Sequence, residues 1–158
     1  MTKQKEQLLD EIGWQILQAL QENARLSFRE LGQRIGLVAS AVAERVHRME
    51  DDGIIQGYHA SIQLPEVGLP ITAFIRMNTS GKKSAHLGAT LCERPEVLEC
   101  YRLTGSETFL MRVGVPSIEH LEVLIDHFSQ YGQPTTSIVL STPLTRRSID
   151  EQTIHPQE

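Results

Sequence analysis

Five arginines, Arg25, Arg29, Arg34, Arg45 and Arg48, fall in a stretch whose only acids are Glu30 and Glu44. That local surplus of positive charge sits in a 158-residue chain whose net charge is −5. Acids flank it on both sides, Asp10, Glu11 and Glu22 before and Glu50, Asp51 and Asp52 after. The overall charge argues against a generic polyanion binder, whereas the arginine cluster suits phosphate oxygens and base edges. Other reactive residues are less organised. Tyr101, Arg102 and Arg112 lie close in sequence, yet no nucleophile and base pair accompanies them, and no catalytic residue is assigned. His120 and His127 would stand about 10 Å apart along a helix, too far for one metal ion. Cys92 and Cys100 lack the spacing of a zinc ribbon and read as free thiols that pack as small hydrophobes. No metal and no cofactor is expected.

The elements that carry the arginines follow from periodicity. Leu8, Leu9, Ile12, Ile16, Leu17 and Leu20 recur at three- and four-residue steps, which predicts a helix over 7–21. Ser27-Phe-Arg-Glu30 has the form of a capping box and opens a second helix, with Phe28, Leu31 and Ile35 inward and Gly36 as its left-handed stop. A third helix is predicted over 39–52, with Val42, Val46 and Met49 inward and Gly53 ending it. Helix, tight turn at Gly36-Leu37-Val38, helix is the helix-turn-helix pattern. Ile54-Ile55 and Tyr58–Leu64 read as extended, and Pro65 to Pro70 as a loop.

Beyond that loop the period becomes two. Ile71, Ala73, Ile75 and Met77 alternate with Thr72, Phe74 and Arg76, predicting a strand that ends in the turn cluster Asn78-Thr79-Ser80-Gly81. A helix over 82–94, strands over 97–103 and 108–115, a helix over 117–129 and a strand over 136–140 complete the order βαββαβ. In that arrangement both helices cover one face of a four-stranded antiparallel sheet, and the apolar residues of the other face await a second chain. The predicted fold is α+β: a helix-turn-helix domain, winged-helix-like, over 1–56, a linker strand and loop over 57–69, a ferredoxin-like domain over 70–145, and a tail over 146–158. No apolar run approaches the roughly 18 residues of a membrane span, and the first residues lack a secretory signal, so a cytoplasmic protein is expected.

If Val42, Val46 and Met49 face inward, helical geometry turns Ser40, Ala41, Glu44, Arg45, His47 and Arg48 outward, toward a major groove. Arg45 then suits guanine O6/N7, Glu44 a cytosine amino group, and Ala41 a thymine methyl. Arg29, Arg34 and Arg48 suit phosphates, which position without specifying.

Taken together, these segments resemble the Lrp/AsnC, or feast/famine, family of transcriptional regulators. The similarity runs through Leu9-Asp10-Glu-Ile12, Ile16-Leu17-Gln-Ala-Leu20, Arg25-Leu-Ser27, Glu30-Leu31-Gly-Gln-Arg34-Ile35-Gly36-Leu37, Ala41 to Glu50, Gly53 to Tyr58, Gly68-Leu69-Pro70 and Thr104-Gly105. Two departures stand out. Val38 and Ala39 replace a common Ser-Pro pair, and losing the serine N-cap should cost about 1 kcal/mol unless Ser40 or water substitutes. Gly105-Ser106-Glu107-Thr108 replaces a Gly-Asp-x-Asp-like loop, neutral at both acidic positions.

The resemblance implies a DNA-binding regulator on double-stranded DNA, nucleoid-associated, whose homodimers assemble further, often to octamers, under an amino acid or related metabolite. It also implies an effector region at Gly105, Ser106, Glu107 and Thr108 together with Thr135, Thr136 and Ser137. There hydroxyls and amides could hold a carboxylate and Glu107 an ammonium group; the same residues equally suit an ordinary turn and strand. Three other readings use the same domains: an architectural DNA-wrapping protein, a siroheme-decarboxylase-like enzyme, and a ligand-only assembly protein. The basic stretch and intact turn favour the DNA reader over the enzyme.

Overall fold

The computed structural model describes residues 3–79 and 84–154. The chain divides into two units, Met1–Ala60 with Leu144–Glu158, and Ser61–Pro143. The expected tail therefore groups with the first unit.

Four helices carry that unit's core: α1 (Lys3–Leu8), α2 (Glu11–Glu22), α3 (Phe28–Ile35) and α4 (Ala39–Asp51). The single helix expected over 7–21 is broken at Asp10, whose carboxylate accepts from the Gly13 amide at 2.8 Å and starts α2. Apolar periodicity runs through the break because residues on both sides feed one core, including Leu8, Ile16, Leu31, Val42, Val46 and Met49. Gly13 makes the elbow possible: a Cβ there would stand 1.8 Å from the Leu8 carbonyl oxygen.

The capping box at Ser27 and Glu30 forms as expected, and Gly36 takes φ 75° at the end of α3. The Leu37 amide then donates back to the Gly32 carbonyl at 3.0 Å, closing the turn in the Schellman manner. Phe28 is not part of the core: its ring is exposed and meets the His47 ring edge-on at 5.7 Å.

After α4, Gly53 at φ 70° repeats the device, with Ile54 donating to the Met49 carbonyl at 2.8 Å and Gly53 to Glu50 at 2.9 Å. Residues 54–63, expected extended in part, lie in no ladder; a 3₁₀ turn follows at Leu64–Val67, and Gly68 closes it at φ 87°. The tail is tied to α2 at two points, Gln21 Nε2 donating to the Ile149 carbonyl (2.8 Å) and the Ile149 amide donating to Gln21 Oε1 (2.9 Å). A short helix α7 (Glu151–Ile154) begins beyond it.

The second unit has β1 (Ile71–Asn78), α5 (Ser84–Cys92), β2 (Val97–Arg102), β3 (Phe109–Val115), α6 (Ile118–Ser129) and β4 (Gln133–Ile138) in the sheet order β2-β3-β1-β4. All its pairings are antiparallel. Leu87 and Leu91 of α5 and Leu121, Leu124 and Phe128 of α6 share one core with Ala73, Ile75, Met77, Met111 and Val113. Both helices thus cover one face, as the βαββαβ order requires.

Ile118, expected inward, is exposed, and Ser117 caps α6 rather than lying inside it. β4 starts earlier than predicted because Pro134 is tolerated on an edge strand, where no outer neighbour needs its missing N–H. Ser80, Gly81 and the start of the helix predicted from Lys82 lie outside the described residues. Among the described residues no helix is long and apolar enough to cross a membrane, and no cluster of His, Cys, Asp and Glu is placed to hold a metal.

Candidate nucleic-acid interface

α4 buries Val42, Val46 and Met49 and exposes Ser40, Glu44, His47 and Arg48, with Ala41 half-buried. Positions 40, 44 and 48 are one helical stripe and 47 adjoins it. Those four expected residues are together on one outward face. Arg29 and Arg48 have no hydrogen-bond or ion-pair partner among the described residues. Arg34 pairs with Glu22 at 3.3 Å with both side chains well exposed, a contact weak enough to exchange for a phosphate.

Arg45 requires a correction. The expected guanine reader faces the N-terminus of α2, where Nη1 and Nη2 donate to the two Asp10 carboxylate oxygens at 2.8 Å each. Its side chain is only 27% exposed. The fork geometry that suits guanine suits a carboxylate equally, and the fold supplies the carboxylate. The Arg45 hydrogen bonds, with help from the Gly13 amide, hold the Asp10 carboxyl below its ordinary range, and Asp10 raises Arg45 in turn. A folded-state value below the unfolded one means this clamp stabilises the unit above the unfolded carboxyl's pKa. The contribution is lost as pH falls through the lowered value. Sequence reading missed Asp10 in this role; its signal was a good N-cap residue three positions before Gly13.

The other anchors are local. Glu30 accepts from the Ser27 hydroxyl (2.7 Å) and amide (2.8 Å), which lower its pKa and fix the start of α3. Val38 is the N-cap of α4, and no side chain caps that end. Ser40 does not substitute. Because Val38 is 69% exposed, replacing it loses little packing. Val38→Ser is therefore expected to stabilise the first unit by about 1 kcal/mol, measurable as a rise in the urea midpoint followed by fluorescence of Trp14, the single tryptophan.

In the second unit the residues expected at an effector region separate by face. Directly opposed residues of an antiparallel pair share a face, so Thr136, opposite Ile75, lies on the helix-covered side. Its hydroxyl is buried without a partner. Thr135 and Ser137, opposite Arg76 and Phe74, lie on the open side. Arg76, the register partner of Thr135, pairs with Glu107 of the 105–108 loop at 3.6 Å. Gly105 bends that loop at φ 105°, and the Thr108 amide donates to the Met77 carbonyl at 2.7 Å. The side chains of Thr135, Thr136 and Ser137 thus cannot all line one ligand. Tyr101 and Arg112 both donate to Glu99 on the open face, from the Tyr101 hydroxyl at 2.7 Å and from Arg112 Nε at 3.0 Å. That is a surface polar cluster, not an acid–base pair.

The comparisons with known proteins match both units. The family model for the AsnC-type helix-turn-helix domain matches residues 9–50, and that for the Lrp/AsnC ligand binding domain matches 72–149. The HTH-type transcriptional regulator YezC of Bacillus subtilis is 40% identical over 134 residues, 85% of this chain and 95% of its own. The chain belongs to the Lrp/AsnC family of transcriptional regulators. Among solved structures of this family, LrpC of Bacillus subtilis superposes with a TM-score of 0.83 at 30% identity, covering 87% of this chain and 99% of LrpC. The regulator NMB0573 of Neisseria meningitidis, solved as a complex with L-Met, gives 0.82 at 32% identity, covering 92% and 99%. In this Lrp/AsnC chain the helix-turn-helix is α3, the turn at Gly36–Val38, and α4.

Proposed function

We propose that this Lrp/AsnC regulator reads operator DNA with the outer stripe of α4, Ser40, Glu44 and His47 toward base edges and Arg29, Arg34 and Arg48 on phosphates. The observation that carries the reading is the exposure of that stripe, opposite a fully buried Val42–Val46–Met49 seam, beside two arginines, Arg29 and Arg48, without a partner among the described residues. Ala41 adds a small apolar contact at the edge of the stripe. Arg45 acts through the fold, holding α4 against the start of α2. The protein acts in the cytoplasm as a non-enzymatic regulator.

The variants separate these roles. Arg48→Ala should weaken binding alike on all duplexes and reduce the salt slope by about 1. Glu44→Ala should relax preference at one C·G position by about 1–3 kcal/mol. Arg45→Ala should lower the urea midpoint while leaving the ranking of base-pair variants unchanged. Filter binding across a salt series on a panel of single-base-pair variants checks all three. A changed base preference in Arg45→Ala would overturn its assignment.

An effector reading rests on the second unit. A small amino acid carries both charges that the Arg76–Glu107 pair presents, and Gly105, Ser106, Thr135 and Ser137 offer amides and hydroxyls around it, while the Thr108 amide and hydroxyl are taken up by Met77 and Thr79. The L-Met complex of the Neisseria relative supports this chemical class. The open sheet face, with Phe74 and Tyr101 exposed, suits a homodimer contact from which larger assemblies, octamers among them, are built. Isothermal titration with a panel of amino acids tests the effector; heat from none of them would remove it.

A further inference from the structure

We propose that Tyr58 is a specificity-positioning residue, which through Glu50 sets the tautomer and orientation of the His47 imidazole on the outer face of α4. The proposal rests on the reading that this face meets DNA.

The chain leaving α4 is aimed by backbone geometry. The turn at Gly53 directs it out of the helix, and Gly57, at φ 152°, lies just before Tyr58. The Tyr58 hydroxyl donates to Glu50 Oε1 at 2.9 Å. The other carboxylate oxygen, Oε2, lies 3.1 Å from His47 Nδ1. On its other side the His47 ring stands edge-on to Phe28, centroids 5.7 Å apart and planes at 79°. An exposed histidine on a helix ordinarily samples several rotamers; here one hydrogen bond and one ring contact restrict it.

The chemistry of the pair fixes the proton. The His47 contact, and after it the Tyr58 contact, hold the Glu50 carboxyl below its usual range. An ionised carboxylate can only accept, so Nδ1 carries the hydrogen. In the neutral ring Nε2 is then an acceptor, and it has no partner among the described residues. An acceptor at this position matches the amino group that adenine or cytosine presents in the major groove. Tyr58 supplies the second donor to Glu50. Without it the carboxylate is free to rotate away, and the ring is free to change tautomer and rotamer. The hydroxyl belongs to the segment that continues into the second unit, so the conformation at residues 57–60 bears on what His47 reads.

The test uses the full chain with Tyr58→Phe, Glu50→Gln and His47→Ala, on a duplex selected from a random pool by the wild-type protein. Tyr58→Phe should keep the Trp14 unfolding transition and lose roughly 3- to 10-fold in affinity for the selected duplex. The loss should be concentrated at the base pair that His47→Ala also relaxes. The double variant Tyr58→Phe/His47→Ala should bind no worse than His47→Ala alone, since the two act through one contact. Without DNA, the His47 ring nitrogen resonances should report the Nδ1–H tautomer in the wild type and a mixture in Tyr58→Phe and Glu50→Gln. Additive losses in the double variant, or a uniform loss on every duplex, overturn the proposal. Unchanged ring resonances in both variants overturn the relay even if DNA is bound. A wild-type protein that selects no duplex overturns the reading of α4 itself, while the resonances still judge the relay.

Discussion

Gly32→Ala is expected to destabilise the helix-turn-helix by about 2 kcal/mol or more and to reduce DNA binding beyond what the lost stability explains. A Cβ on Gly32 would lie 2.4 Å from the Leu37 carbonyl oxygen and 3.6 Å from the Ala39 amide nitrogen. Both are backbone atoms, one in the turn and one at the start of α4, so no flexible side chain can yield. Alanine's advantage inside a helix is only about 1 kcal/mol and does not offset that overlap. Relief must come from moving the turn away from α3, which shifts the start of α4 and with it Ser40 and Glu44. Gly36→Ala is the control. It meets nothing within 4 Å and is strained only by its φ of 75°, so it should cost about 1–2 kcal/mol and leave the position of α4 intact. Urea unfolding followed by Trp14 fluorescence, paired with DNA titration, separates the two. Equal behaviour of both variants would contradict the close-approach account.

Phe128→Ala should cost the second unit about 3–5 kcal/mol. Phe128 is fully buried in the last turn of α6 and lies in the same core as Met77, Phe109 and Leu124. Removing its ring leaves a cavity that a β-sheet and two helices close only in part, because the strand register fixes their spacing. Calorimetry should show the lower-melting transition of a weakened second unit. A cost below about 1 kcal/mol would mean that the core collapses freely around the site, against the rigid packing expected of such interiors.

Elements governed by local rules were legible in the sequence. Ser27 and Glu30 announce α3, Gly36 its end, and the alternation from Ile71 to Met77 the central strand. The outer stripe of α4 followed from Val42, Val46 and Met49 alone. What depended on contacts distant in sequence was not legible. Arg45 and Asp10 are 35 residues apart, and nothing in either segment shows that α4 packs against the start of α2. Gln21 meets Ile149 across 128 residues, so the tail's return was equally hidden. The family resemblance groups Thr136 with Thr135 and Ser137, yet strand alternation sends it to the other face. Gly13 and Gly32 did leave a trace. A glycine inside an amphipathic helix costs about 1 kcal/mol against alanine, and its presence marks a close backbone approach.

The central claim is that α4 presents its outer stripe to a specific duplex, and a hydroxyl-radical footprint on the DNA upstream of the protein's own coding region tests it most directly. The predicted result is discrete protection repeating at about 10–10.5 base pairs, lost in Ser40→Ala/Glu44→Ala/Arg48→Ala while the Trp14 unfolding transition stays intact. Protection that is absent, spread evenly along the fragment, or retained in the triple variant would contradict it.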